Sequence, residues 1–138
     1  MTRGRGRTQS CSAADARARL DQARKFLEVA ELTAGEREIA ASANVAGALA
    51  VLAGIAATDA ACCRALGVRS RGQDHRQAAD LVEQIEPGGK DAAKALRRLL
   101  DHKDTAEYGF TRVAGQTLVA LLRRAEDLAG FAEAVVRR

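Results

Sequence analysis

Aromatic residues are scarce in this chain of 138 residues: they make up 3% of it, and Trp is absent. There is also a single Pro, and Ala and Leu carry most of the apolar content. This composition argues against a β-sandwich or barrel and favours helices that pack closely through small side chains. The length allows one domain with one hydrophobic core.

Cysteine is also rare, and its spacing excludes the common cysteine-based sites. The three cysteines are Cys11, Cys62 and Cys63, and the sequence has no CxxC pair and no Cys/His ligand spacing. The adjacent pair Cys62 and Cys63 points in two directions on a helix. The sequence therefore predicts neither a zinc site nor a disulfide framework. We expect free thiols, as in a reducing cytoplasm, and no metal or cofactor.

A long uninterrupted apolar run is missing too. The most apolar stretch, Val45–Ala57, is shorter than the roughly 18 residues that span a bilayer, and Asp59 follows it closely. The first ten residues, MTRGRGRTQS, lack the apolar region of a signal peptide. We therefore expect a soluble, cytoplasmic protein without membrane contact.

The chain carries a modest excess of positive charge, with a net charge of +4. Arg3, Arg5 and Arg7 lie in a basic arm that we expect to be disordered over residues 1–12. These arginines are candidates for contact with the phosphates of a nucleic acid, although terminal charge runs are more often simply solvated.

Residues 13–138 read as an all-α, five-helix, up-and-down bundle with short connections. Ser12–Asp15 has the residues of a capping box and would begin the first helix. Thr33–Glu36 has the residues of a second capping box and would begin the second helix. The second helix would run to Leu66, with Gly67 as its cap, as a central rod of about 50 Å. Three further helices follow, from about Asp74 to the Pro87-Gly88-Gly89 turn, from about Asp91 to Asp104, and, after a break at Tyr108–Phe110, from about Ala114 to Val136.

Asp59 is the most informative residue of the second helix, because it lies on an apolar stripe near the helix end. A carboxylate there is unfavourable unless a cation or donor meets it. Arg69, Arg71 and His75 follow only a short loop later and can return to it. We expect a buried Asp59 bonded to one of these three side chains. The cluster is either a structural clamp or a catalytic or nucleotide-binding site.

Four stretches together resemble the HEPN domains, a family of small α-helical proteins, and look most like an actinobacterial branch of it. They read ANVAGALAVLAGIAATDAACCRALG, GQDHRQAADLVEQI, LRRLLDHKDTAEYGF and TLVALLRRAEDLAGFAEAVV. The resemblance lies in their order and spacing and covers roughly Ala16 to Val136. It implies a helical bundle that commonly forms a homodimer.

The resemblance implies one of two functions. Many HEPN proteins are metal-independent ribonucleases that use Arg-x(4–6)-His, in which the histidine assists the 2′-hydroxyl and the arginine stabilises the phosphate. Other members lack the motif and bind partners, often beside a nucleotidyltransferase.

This sequence contains the spacing twice, from Arg69 to His75 and from Arg97 to His102. The family's usual catalytic position, just before the closing helix, instead reads Lys103 and Tyr108. That departure favours a non-catalytic interaction module, expected to be a homodimer that binds RNA or a nucleotide.

Two other functions stay open. The first is a toxin-like ribonuclease that uses Arg69 or Arg71 with His75 and Asp59. For the ribonuclease or for the non-catalytic module, we expect a nucleotidyltransferase or an antitoxin as the protein partner. The second is a helix-turn-helix DNA-binding protein built on the helices around Pro87-Gly88-Gly89.

Overall fold

The computed structural model describes residues 7–36, 41–72, 75–103 and 112–138 of the chain. These residues form five helices and two short strands, which confirms the prediction of an all-α bundle. In chain order the elements are β1 (Thr8–Ser10), α1 (Ala13–Ala34), α2 (Ser42–Leu66), β2 (Val68–Ser70), α3 (Arg76–Val82), α4 (Gly89–Asp101) and α5 (Gly115–Val136).

The four longer helices alternate in direction. The beginning of α1 lies against the end of α2, where Arg19 meets Asp59. The α5 helix runs parallel to α2, since the Val113 N–H at its beginning donates to Asn44 of α2 at 2.8 Å. The α4 helix runs the other way, and its end lies beside the beginning of α5. The short α3 belongs to the connection between α2 and α4.

The beginning of α1 follows the sequence closely. Ser12 is its N-cap, and the Asp15 N–H donates to the Ser12 hydroxyl at 3.0 Å while the Ser12 N–H donates to the Asp15 carboxylate at 2.9 Å. The prediction of a capping box is confirmed. The second predicted capping box, Thr33–Glu36, was wrong, because α1 continues through Ala34 and Gly35 is its C-cap. With 25 residues, α2 is about 37 Å long rather than about 50 Å.

Gly67 ends α2 in the left-handed conformation, with φ of 74°, as predicted. The turn leads directly into β2, which pairs with β1 in an antiparallel ribbon, with Gln9 opposite Arg69. This ribbon corrects the expectation of disorder for the part of the basic arm that the structure describes. No pattern in the sequence indicated it, because both strands are only three residues long.

The remaining boundaries differ from the predictions by a few residues. The third helix is short, from Arg76 to Val82, and α4 begins at Gly89 rather than Asp91. The last helix, Gly115–Val136, agrees with the prediction within one residue. The predicted helix start at Asp74 and the predicted break at Tyr108–Phe110 lie outside the described residues.

The core is built mainly from small side chains around α2, which packs against all four other helices and β2. Larger side chains fill the space between α2, α4 and α5, and the most deeply buried of them are Leu96, Leu99, Leu121, Leu128, Val51, Val82 and Val135. Among the described residues, α2 alone has the length and hydropathy of a membrane-spanning helix, but 78% of its most apolar window is buried in the bundle. That burial is typical of the core helix of a soluble protein.

Gly89 allows α4 to begin directly against the end of α3. A Cβ atom at this position would lie 2.4 Å from the carbonyl oxygen of Val82 and 2.9 Å from that of Glu83, and both oxygens belong to the backbone. Neither can move without displacing the turn. A side chain at residue 89 would therefore push the two helices apart.

We predict that Gly89→Ala lowers the free energy of unfolding by about 1–3 kcal/mol through this overpacking. The matched control is Gly130→Ala in α5, where a Cβ would meet nothing within 4 Å. That substitution should raise the free energy of unfolding by about 0.5–1 kcal/mol through helix propensity. Urea denaturation measures both values, and a Gly89→Ala protein as stable as the wild type would contradict the expectation.

Candidate functional site

Asp59 is buried near the end of α2, with 5% of its surface exposed. Its Oδ2 accepts hydrogen bonds from Arg19 Nε at 3.2 Å and from Arg19 Nη2 at 3.1 Å. The predicted burial is confirmed, but the predicted partner was wrong. The partner comes from α1, because antiparallel packing brings the first turns of α1 beside the last turns of α2.

Two opposing effects act on the charge of Asp59. Burial raises the pKa of its carboxyl above the usual value, and this is the larger effect. The Arg19 guanidinium opposes it, and the charges of Arg69 and His75 act weakly in the same direction as Arg19. Arg69 and His75 therefore influence Asp59 through space without bonding to it.

The other predicted residues are committed elsewhere or exposed. Arg69 donates to the Ser70 carbonyl at 3.1 Å and to Gln9 Oε1 at 2.9 Å. Arg71 is exposed, and its backbone N–H donates to the Arg7 carbonyl. His75 stands half-buried just before α3 and makes no side-chain capping bond. The structure thus does not gather Asp59, Arg69, Arg71 and His75 around one cleft.

Of the three arginines in the basic arm, the structure describes Arg7 alone. It is exposed, and its carbonyl belongs to the contact with Arg71. Arg3 and Arg5 lie outside the described residues.

A polar cleft of about 410 Å³ lies where the arm meets the bundle, and a disulfide between Cys11 and Cys63 forms part of its wall. Arg19 and Arg69 also line this cleft. The disulfide corrects the expectation of free thiols for these two residues. Cysteine motifs such as CxxC involve cysteines that are close in sequence. Cys11 and Cys63 are separated by 52 residues, and the packing of α1 on α2 brings them together.

Cys62 remains a free and buried thiol. Burial raises its pKa to about 12, and the nearby Asp59 carboxylate acts in the same direction. A thiol with such a pKa carries almost no thiolate at neutral pH, so Cys62 is a poor nucleophile and a poor metal ligand. Among the described residues, no group of three His, Cys, Asp or Glu side chains could hold a metal ion.

Sequence reasoning missed a second cleft, of about 550 Å³, between the end of α4 and the beginning of α5. Arg98, His102 and Arg124 line it together, with Gln116 and Thr117 at the first turn of α5. We call it the α4–α5 cleft. The spacing of four residues from Arg98 to His102 places both on one helix face, and this was the signal available in the sequence.

The α4–α5 cleft carries excess positive charge. Among the described residues that line it, the one carboxylate is Asp101, which is bound to Arg76 at 2.7 Å. Within the described ranges, neither Arg98 nor Arg124 makes a hydrogen bond or ion pair through its side chain. Two guanidinium groups are therefore open to an anion.

His102 completes the wall of this cleft. Its Nδ1 lies 3.3 Å from the Arg98 carbonyl oxygen, and with a proton on Nδ1 the ring donates to that oxygen. Arg97, which shares the Arg-x(4)-His spacing with His102, turns away and donates to Asp80 at 2.9 Å and to Glu83 at 2.8 Å. The spacing in the sequence therefore does not correspond to a pair of side chains in one site.

We predict that Arg19→Ala destabilises the fold more than Asp59→Ala. Removing Arg19 leaves a buried carboxylate without its partner and should lower the free energy of unfolding by about 3 kcal/mol. Removing Asp59 leaves a guanidinium that is 33% exposed and can reach water, so the loss should be smaller.

The control for this prediction is Lys25→Ala, which breaks an exposed i,i+3 pair with Glu28 on the same helix. It should change the free energy of unfolding by about 0.5 kcal/mol or less. Chemical denaturation of the three variants at neutral pH gives the ranking. An Asp59→Ala protein less stable than Arg19→Ala would refute it.

Comparison with known proteins assigns no family. No model of a known protein family matches the chain, and no curated protein matches it. The similarity to HEPN domains therefore rests on the residues quoted above.

Proposed function

We propose that this protein is a HEPN-like helical interaction module that forms a homodimer and binds the phosphates of RNA without cleaving it. One observation carries the proposal. Arg98 and Arg124 face a common cleft without partners among the described residues, beside His102. Arg98 is exposed and Arg124 half-buried, and two cations that share one cleft attract an anion to it.

The chemistry of the α4–α5 cleft suits a phosphate. Two guanidinium groups offer planar pairs of N–H donors that match phosphate oxygens. Gln116 and Thr117 supply further donors at the first turn of α5, where the helix dipole also favours negative charge. A volume of about 550 Å³ is in the range of small-ligand sites and accommodates one nucleotide.

The geometry around Asp59 supports binding rather than cleavage. A ribonuclease of the Arg69–His75 type needs an arginine free to meet a phosphate and a histidine open to the same cleft. Arg69 is instead bonded to Gln9 and to the Ser70 carbonyl, and Asp59 is bonded to Arg19. A ribonuclease that uses Arg69 would require its contacts with Gln9 and Ser70 to break, whereas the exposed Arg71 would not have to give up these contacts.

The helix-turn-helix alternative has less support. Its reading helix would be α4, and the apolar face of α4 is buried in the bundle. The exposed face places Arg97 in contact with Asp80 and Glu83 of the α3 region, so this cation is not free to contact base edges.

A homodimer is supported by an apolar face on α2. Val45 and Leu52 are 48% and 36% exposed and lie on one side of the helix, with the half-buried Leu49 between them. No charged residue occurs in α2 before Asp59. In a two-fold interface each residue lies near its own copy, so an uncharged face pairs with itself without like-charge repulsion.

A cytoplasmic location and a protein partner, either a nucleotidyltransferase or an antitoxin, complete the proposal as implications of the HEPN resemblance. The arm arginines Arg3, Arg5 and Arg7 would add non-specific contacts to the same RNA. Such contacts strengthen binding at low salt without adding sequence preference.

We predict that Arg124→Gln weakens binding of a labelled single-stranded RNA about tenfold at low salt and lowers the salt slope by about 0.7. Arg98→Gln should act in the same way. The matched control is Arg123→Gln, which removes the same charge from the neighbouring, exposed position outside the cleft. Fluorescence anisotropy over a salt series measures both quantities, with a mononucleotide as competitor.

The same RNA tests for cleavage. Wild type and His75→Ala should both leave it intact without added metal. Cleavage by the wild type that disappears in His75→Ala would replace our proposal with the ribonuclease alternative. Equal loss of binding in Arg123→Gln and Arg124→Gln would show a diffuse charge effect and exclude the cleft as the site.

We also predict that the protein is a dimer at micromolar concentration and that Leu52→Glu makes it monomeric. The substitution would place two carboxylates opposite each other across the two-fold axis in an apolar interface. The control is Leu32→Glu, a change at a position of α1 with 68% exposure that should leave the dimer intact. Sedimentation velocity distinguishes the two, and a monomeric wild type would refute the dimer.

A further inference from the structure

The Cys11–Cys63 bond is a disulfide that ties the end of the arm, just before α1, to the last turn of α2. Cys11 is half-buried at the edge of the 410 Å³ cleft, while Cys63 is 4% exposed in the last turn of α2. Cys11 is thus the more exposed of the two bonded residues. This asymmetry suggests different roles for the two cysteines when the bond is open.

Few other contacts hold the arm. The three residues of β1 are all exposed. Besides the strand pairing, the Cys11 N–H donates to the Gly67 carbonyl at 3.0 Å and Arg69 donates to Gln9 at 2.9 Å. A two-stranded ribbon of this length is marginal in water, since its hydrogen bonds exchange with solvent. The Arg71 N–H also donates to the Arg7 carbonyl at 2.9 Å, and the disulfide adds a covalent constraint to this short ribbon.

The two cysteines lie at opposite kinds of helix end. Cys11 precedes Ser12, the N-cap of α1, and helix N-termini stabilise an adjacent thiolate. Cys63 lies at the opposite kind of helix end, where the carbonyls concentrate negative charge, and it is buried.

The cleft places charges of both signs near Cys11. Asp15 lines the cleft, but its carboxylate accepts the Ser12 N–H, and Arg69 contributes a positive charge nearby. Arg19 neutralises Asp59. The position of Cys11 at the helix beginning and its access to solvent therefore decide its reactivity.

Cys62 does not compete with either residue. It is buried, and its pKa of about 12 leaves it protonated. Its side chain also projects from α2 in a direction about 100° away from that of Cys63. The chain thus has one exposed thiol, one buried partner within reach of it, and one inert thiol.

We infer that Cys11 and Cys63 form a reversible oxidation site in which Cys11 is the reactive thiol, Cys63 is the resolving thiol, and bond formation fastens β1 onto β2. Free thiols in a reducing compartment and the disulfide in the structure are then two states of one site. The fastened state holds residues 7–12 of the arm beside β2, and the open state releases them.

The chemistry is balanced with a hydroperoxide as oxidant. The Cys11 thiolate attacks the peroxide oxygen, which gives a sulfenic acid on Cys11 and, with hydrogen peroxide, a hydroxide that takes up a proton. The Cys63 sulfur then attacks the Cys11 sulfur, a water molecule leaves, and the disulfide forms. The two sulfurs lose two electrons, which reduce the peroxide to two water molecules. A dithiol reverses the reaction and becomes a disulfide itself.

The test begins with full-length protein that is reduced by a dithiol, desalted and kept folded. A pulse of iodoacetamide at neutral pH, followed by peptide mass spectrometry, should show that Cys11 is alkylated about tenfold faster than Cys63. In a separate, unalkylated sample, one equivalent of hydrogen peroxide should remove two hydrogens and join the peptides of Cys11 and Cys63. Trypsin should cut after Arg7 faster in the reduced protein than in the oxidised one.

Three variants keep the roles separate. Cys62→Ser is the matched control and should react like the wild type. Cys63→Ser should accumulate a sulfenic acid on Cys11 that dimedone traps, and Cys11→Ser, a change at a half-exposed position, should take up no dimedone. Circular dichroism confirms that each variant is folded.

Several results would overturn the inference. Cys63 or Cys62 alkylated as fast as Cys11 would remove the assigned roles. A bond that the dithiol opens only after the chain unfolds would make the disulfide a permanent cross-link. Equal trypsin cleavage after Arg7 in both states would show that the bond does not control the arm.

Discussion

The packing of α1 against α2 through alanine side chains is the contact on which the other features of this structure depend. Ala16, Ala23 and Ala30 are completely buried on α1, and alanine is the commonest buried residue of α2. Side chains of this size let helix axes approach closely, and they bury little area each, so stability depends on many contacts in good register. A shift of α1 along α2 would separate every pair at once.

That register explains why distant residues meet at one end of the helix pair. Arg19 reaches Asp59 across 40 positions of sequence, and Cys11 reaches Cys63 across 52. Both contacts lie within the first turns of α1 and the last turns of α2. The pair of helices therefore positions the buried carboxylate, its cation and the disulfide as one unit, and β2 continues from the same end.

Much of the fold could be predicted from local signals, because these depend on neighbours in the sequence. The Ser12–Asp15 capping box, the left-handed Gly67 and the period of the last helix each predicted an element that the structure contains. The beginning of α2 was predicted wrongly because Thr33–Glu36 has the residues of a cap, and the extension of α1 through Ala34 overrides that local preference.

The sites were harder to predict because they combine residues from different helices. The burial of Asp59 followed from its place on an apolar stripe, but its partner depended on how α1 and α2 align. Arg124 joins Arg98 only through the docking of α5 on α4, for which the sequence offers no local signal. The antiparallel arrangement of the first two helices, taken together with Arg19 beside the core position Leu20, would have identified the cation.

The disulfide also divides the chain topologically. It closes a loop of about 52 residues that contains all of α1 and nearly all of α2, while α3, α4 and α5 lie outside the loop. A loop of this length removes conformational entropy from the denatured chain worth about 4 kcal/mol, and this gain is confined to the helical hairpin. In the oxidised protein, the α1–α2 hairpin therefore keeps its ends together even when the rest is denatured. Refolding of the oxidised chain then starts with the two ends of this hairpin already joined.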